Sequence, residues 1–126
     1  MHGLHLTADL QGCSALNPMM TDVNVLQERC LSIVTMAGLQ AVGQCFHGFP
    51  ALAPHQVGGI TGMVLLAESH LAVHTWPESG VVTLDVFVCN RNSDNSAAAH
   101  QVVNQLRDEL KPSHCQVQEV PRIAQN

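Results

Sequence analysis

Between Gly59 and Cys89 three strand-like runs follow one another with no room for a helix between them. Met63–Ala67 and Leu71–Thr75 lie so close that Glu68-Ser69-His70 must form a tight turn or an irregular break. Pro77, Ser79 and Gly80 supply a second turn. Val81 to Val88 then alternates, with Val82, Leu84, Val86 and Val88 on one face and Val81, Thr83, Asp85 and Phe87 on the other. Asp85 is the odd member of its face. Connections this short pair strands antiparallel. Polar side chains are threaded through what would otherwise be core, which marks this stretch as the candidate site.

The flanks supply the rest of the architecture. Gly3–Ala8 reads as a first strand, and Asp9–Asn17 as its connection. Pro18 suits a helix start, where its missing N–H costs nothing. Asp22 is placed to cap a helix from Val23 to about Ala37, whose apolar face is Val23, Leu26, Cys30, Ile33, Val34 and Ala37. Gly38 stops it, and Leu39–Phe46 reads as a strand. His47–Gly62 is dense in Gly and Pro and reads as a long loop of the kind that carries function. Asn95 or Ser96 caps a second helix, Ala97–Leu110, with Ala98, Val102, Gln105 or Leu106, and Leu110 inward. Pro112 ends it. His114–Val120 is a last strand, and the tail after Pro121 reads as peripheral. Two helices and a mainly antiparallel sheet predict an α+β fold, a two-layer α/β sandwich with both helices on one sheet face.

The chain has 126 residues, the size of a single domain, and 46% of them are hydrophobic. Lys and Arg number 5 against 10 Asp and Glu, for a net charge of −5. That balance argues against a nucleic-acid surface and favours a neutral or cationic small ligand. The 5 cysteines are scattered and form no C-x-x-C pair. With no signal peptide and no long apolar run, the chain reads as cytoplasmic, with no membrane association.

Several polar residues stand out, each with a plainer reading. Ser69 is a turn serine unless its hydroxyl reacts; G-x-S-x-G is absent, so a hydrolase nucleophile elbow is not supported. His74 is a core or interface histidine, or a proton carrier that approaches Ser69 five residues away. Cys89 is buried filler or a thiol delivered to a site by a strand end. Glu78, after Trp76-Pro77, is a solvated turn acid or a substrate anchor. Thr61 satisfies a turn or supports chemistry, and Phe49 is core or stacks on a flat ligand. Among 8 histidines no H-E-x-x-H occurs, and no metal site is assigned.

Leu66-Ala67-Glu68-Ser69-His70-Leu71-Ala72-Val73-His74-Thr75-Trp76-Pro77-Glu78, followed by Asp85-Val86-Phe87-Val88-Cys89, closely resembles the bacterial and archaeal S-adenosylmethionine decarboxylase proenzymes. Gly3-Leu4-His5-Leu6 to Gly12-Cys13 and His47-Gly48-Phe49 extend the likeness over most of the chain. The resemblance implies that the Glu68–Ser69 peptide bond breaks itself, leaving chains 1–68 and 69–126. The Ser69 hydroxyl would attack the preceding carbonyl, and elimination from the resulting ester would convert Ser69 into a pyruvoyl cofactor. That ketone would form a Schiff base with the substrate amine and take up the electrons released with CO2.

By the same resemblance His74 helps drive the elimination, Thr61 supports processing, and Glu68 is left at the new C-terminus. Cys89 is the proton donor to the substrate, Glu78 holds the substrate across a homodimer interface, and Phe49 stacks on adenine. The chain departs from the family in a longer segment between Phe49 and Gly62, and in Val88 and Asn90 beside the cysteine. The altered wall of the pocket leaves ornithine or arginine as alternative substrates, and a non-catalytic relative as an alternative of another class.

Overall fold

The computed structural model describes residues 1–123. Six strands form one sheet: β1 (Gly3–Gln11), β2 (Ala41–Gly48), β3 (Ile60–Leu66), β4 (Ser69–Trp76), β5 (Val81–Cys89) and β6 (His114–Arg122). Their order is β2-β3-β4-β5-β1-β6, and every neighbouring pair is antiparallel. Strand β1 therefore lies between β5 and β6, far along the chain from both. Helices α1 (Val23–Met36) and α2 (Ser96–Leu110) pack against the sheet and each other. The expected α+β sandwich with helices on one face is what forms.

The helices start where local chemistry directs. Asp22 accepts hydrogen bonds from the backbone N–H groups of Asn24 and Val25 at 3.0 and 3.3 Å, relieving two donors that the helix cannot satisfy itself. The buried face of α1 is Leu26, Cys30, Ile33 and Val34; that of α2 is Ala99, Val102, Val103, Leu106 and Leu110. Ala99 replaces the expected Ala98, Val103 joins the face, and of the alternatives Gln105 and Leu106 it is Leu106 that turns inward, which keeps an unbroken apolar stripe. Arg29 and Glu109 clamp the two helices with paired hydrogen bonds of 2.6 and 2.8 Å.

Opposite the helices, Leu4, Leu6, Ala8 and Leu10 of β1 meet Val82, Leu84, Val86 and Val88 of β5 in the core. A fully buried Leu contributes roughly 1.5–3 kcal/mol, so this layer carries much of the stability. Burial pushes the Cys30 thiol pKa up to about 12, so it packs as an inert apolar group.

Several boundaries move from their expected places. Strand β1 runs on to Gln11 and β6 to Arg122, because the two pair along their whole length. Pro121 is tolerated because β6 is a sheet edge. Pro18 opens a separate 3-10 turn, Pro18–Met20, rather than α1. The long loop shrinks to 49–59. His47 and Gly48 belong to β2, while Ile60, Thr61 and Gly62 belong to β3. Gly62 sits within β3 because the Phe46 ring lies over it, 2.2 Å from where a Cβ would be.

Candidate active site

The β3–β4 junction is a regular hairpin rather than an irregular break. Leu66 pairs with Ser69, so only Ala67 and Glu68 form the turn, and Ser69 and His70 already belong to β4. Glu68 takes φ +57°, a left-handed conformation that costs a residue with a Cβ about 1–2 kcal/mol. The bond between Glu68 and Ser69 thus follows directly on a strained residue.

Three groups gather at this turn. The Cys89 backbone N–H donates to Ser69 Oγ at 3.0 Å. The Cys89 thiol, on a nearly buried side chain, lies 3.6 Å from Glu68 Oε2. Cys89 shares the parity of Asp85 and Phe87, so its side chain lies on the helix-free side of β5. Glu68, Ser69 and Cys89 are therefore brought together.

His74 is not with them. An extended strand advances about 3.4 Å per residue, so five residues separate Ser69 and His74 by about 17 Å. The odd spacing also puts them on opposite faces of β4. Ser69 falls with Leu71, Val73 and Thr75, and His74 with His70, Ala72 and Trp76. The expectation that His74 approaches Ser69 fails within one protomer, because the segment between them is straight strand rather than turn.

His74 instead meets Thr61, its cross-strand partner on β3, with Thr61 Oγ1 and His74 Nδ1 3.0 Å apart. Its ring lies 5.7 Å from that of Trp76. These residues line a cavity of about 360 Å³ with Phe49, Leu52, Val57 and Glu78. Phe49 is half-exposed and packs edge-on to His47, with ring centroids 4.6 Å apart. So Thr61, His74, Phe49 and Glu78 form one group at the far end of β4, apart from the group around Ser69.

Midway, the helix-free face carries a polar cluster that sequence reasoning passed over. His5 Nε2 lies 3.1 Å from Asp85 Oδ1, and the His5 ring centroid is 6.4 Å from that of His70. His70 stacks on Phe87 with ring centroids 5.7 Å apart, and the Arg122 guanidinium carbon also lies 5.7 Å from the Phe87 ring centroid. Burial, and then the neighbouring His5, hold the His70 pKa below its ordinary value, against an opposing pull from Asp85. The signal available was Asp85 itself, a charge on an otherwise uncharged strand. Asn95 was also missed in its actual role: it stands at the α2 N-cap position but makes no side-chain cap bond, donating instead to the Cys89 carbonyl at 2.8 Å.

Comparison with known proteins shows the family. The family model for S-adenosylmethionine decarboxylase matches residues 4–123. An S-adenosylmethionine decarboxylase proenzyme of Aquifex aeolicus is 38% identical over 104 residues, covering 82% of this chain and 71% of the relative. One from Caldicellulosiruptor saccharolyticus is 33% identical over 124 residues, covering 97% and 90%. The crystal structure of the adenosylmethionine decarboxylase from Aquifex aeolicus superposes with a TM-score of 0.82 at 31% identity, covering 98% of this chain and 92% of that one. With its sequence matched almost end to end and its fold shared, the chain belongs to the S-adenosylmethionine decarboxylase family.

Proposed function

We propose that this protein is a self-cleaving S-adenosylmethionine decarboxylase that works as a homodimer, with each active site built from both protomers. The observation that carries the reading is the split of the reactive residues between the two ends of β4. Glu68, Ser69 and Cys89 occupy one end, and Thr61, His74 and Glu78 the other. A second copy, laid face to face with the two-fold axis crossing β4 near Ala72, would set the Ser69 end of one strand over the His74 end of the other. The helix-free face suits such a partner: Met63, Leu65 and Trp76 expose 41%, 50% and 40% of their surface there.

Self-cleavage proceeds from residues of the chain. The Ser69 hydroxyl attacks the Glu68 carbonyl carbon, the C–N bond breaks, and an ester replaces the amide. Removal of the Ser69 α-proton by the partner's His74 expels the Glu68 carboxylate, and water then displaces the nitrogen as ammonia. Thr61 holds His74 Nδ1, leaving Nε2 to take the proton. The site fits the pyruvoyl group that this would produce: a backbone N–H donor, that of Cys89, and a thiol stand beside the residue that becomes it. The group supplies a ketone conjugated to a carbonyl, which takes up the electrons released as CO2 departs. Cys89 then delivers a proton to the substrate α-carbon.

The cavity favours S-adenosylmethionine over ornithine or arginine. Phe49, Leu52, Val57 and Trp76 give it a broadly apolar wall, suited to a flat adenine base. Glu78 offers a carboxylate at its rim, and the net charge of −5 suits a sulfonium. All five cysteines are free, which accords with a reducing cytoplasm.

Co-expression of a Ser69→Ala chain with a His74→Ala chain tests the shared site. Neither chain should split alone. Together, the His74→Ala chain should split at Glu68–Ser69, using the His74 of its Ser69→Ala partner, and CO2 release from S-adenosylmethionine should return. No splitting in the mixed dimer would refute the shared site.

A further inference from the structure

Cys89 is held by its backbone on both sides. Its N–H donates to Ser69 Oγ at 3.0 Å, and its carbonyl accepts from Asn95 Nδ2 at 2.8 Å. Because a carbonyl can only accept, the amide of Asn95 must present its NH2 group there. Asn90 braces the same turn: its Oδ1 accepts from the Asn95 N–H at 2.8 Å, its Nδ2 donates to Ser96 Oγ at 3.0 Å, and its own N–H donates to the His2 carbonyl at 2.8 Å.

This use of Asn95 runs against its local preference. An Asn at an N-cap normally turns its side-chain oxygen onto the first helical N–H groups. Here Asn95 makes no such bond, and Asp94 Oδ1 accepts from the Ser96 N–H at 2.9 Å in its place. A good capping side chain diverted from its helix to one particular carbonyl is the kind of local inconsistency that functional sites show.

We infer that Asn95 is a positioning residue for self-cleavage, fixing the peptide of Cys89 so that its N–H holds the Ser69 hydroxyl for attack on the Glu68 carbonyl. This rests on the self-cleavage reading above. The attack needs the oxygen within a narrow range of position, and small displacements of a reacting atom are costly in rate. Asn95 touches neither reacting atom; its effect passes through Cys89.

The test measures splitting of the purified full-length chain over time on denaturing gels. The parent, Asn95→Asp, Asn95→Ala and Asn95→Gln are compared, and each is also melted in the uncleavable Ser69→Ala background. Asp keeps the shape and caps a helix as well as Asn does, but it has no N–H to donate. Gln keeps the donor but caps poorly. The expected result is about tenfold slower splitting for Asp and Ala, an undiminished melting temperature for Asp, and faster splitting for Gln than for Asp. Splitting of Asp at the parent's rate, or Asp splitting as fast as or faster than Gln, would overturn the inference and leave Asn95 a structural residue. Should the parent itself fail to split at Glu68–Ser69, the self-cleavage reading falls. Normal splitting of both parent and Asp removes only the role of Asn95.

Discussion

The left-handed backbone of Glu68 makes a quantitative demand on self-cleavage. Its φ of +57° brings a Cβ into conflict with the following carbonyl, at a cost of about 1–2 kcal/mol. On the self-cleavage reading, attack by Ser69 would turn that carbonyl carbon tetrahedral and then free it from the turn, so the strain would help to break the bond. Glycine pays no such penalty at positive φ. If the whole strain is relieved on the way to the transition state, Glu68→Gly should slow splitting by roughly 5- to 30-fold. The substitution also removes the carboxylate 3.6 Å from the Cys89 thiol, so Glu68→Ala is the necessary comparison. Alanine lacks the carboxylate but keeps the Cβ and the strain. Rates are read by following a single band become two after refolding or cell-free synthesis. Glu68→Gly should be the slowest of the set, with Glu68→Asn between it and Glu68→Ala because Asn tolerates this conformation. Glu68→Gly splitting as fast as Glu68→Ala would refute the idea that strain at this turn contributes.

Two further predictions concern stability, measured in the uncleavable Ser69→Ala chain. The folded state lowers the His70 pKa below 6.5, so folding favours neutral imidazole there. This contribution should be complete above about pH 6.5 and should decline as pH falls towards the folded value. His70→Gln should flatten that part of the melting-temperature profile. His5 and Asp85 face the same ring, and an unchanged slope would refute the assignment to His70. Arg29→Met should cost about 1 kcal/mol at pH 7 by breaking the partly buried paired contact to Glu109, measured by urea unfolding. Arg29 holds the Glu109 pKa below 4.5, so the difference from the parent should vanish as pH falls through that lowered value.

Much of this architecture is legible in the residues themselves. The alternation of Val82, Leu84, Val86 and Val88 announces the buried face of β5, and Asp22 announces the start of α1. A turn near Glu68-Ser69-His70 is legible, but its exact place at Ala67 and Glu68 is not, because neither is a usual turn residue and a left-handed Glu has no sequence signature. The start of β3 was hidden by Gly58, Gly59 and Gly62, which read as loop although Gly62 is there to make room for Phe46. Membership of one short motif suggested that Ser69 and His74 meet. The period of two in Ser69, Leu71, Val73 and Thr75 already puts them on opposite faces, and only the observed regularity of β4 gives that period its force. Asn95 was legible as a cap by residue type, whereas its bond to the Cys89 carbonyl depends on how the intervening loop closes.

The position of β1 bears on the fate of the protein after the cut. Chain 1–68 would carry β1, β2, β3 and α1, and chain 69–126 would carry β4, β5, β6 and α2. Because β1 is inserted between β5 and β6, the two pieces meet along three strand seams, β3–β4, β5–β1 and β1–β6, as well as between the helices. Neither piece retains a complete apolar layer, so they remain interlocked while folded. Once unfolded, they must find each other by diffusion, and a folding reaction that was unimolecular for the precursor becomes concentration-dependent for the product. Such a cut would turn the fold into something made once: its lifetime would be governed by how slowly it opens, since reassembly from dilute fragments competes poorly with their loss.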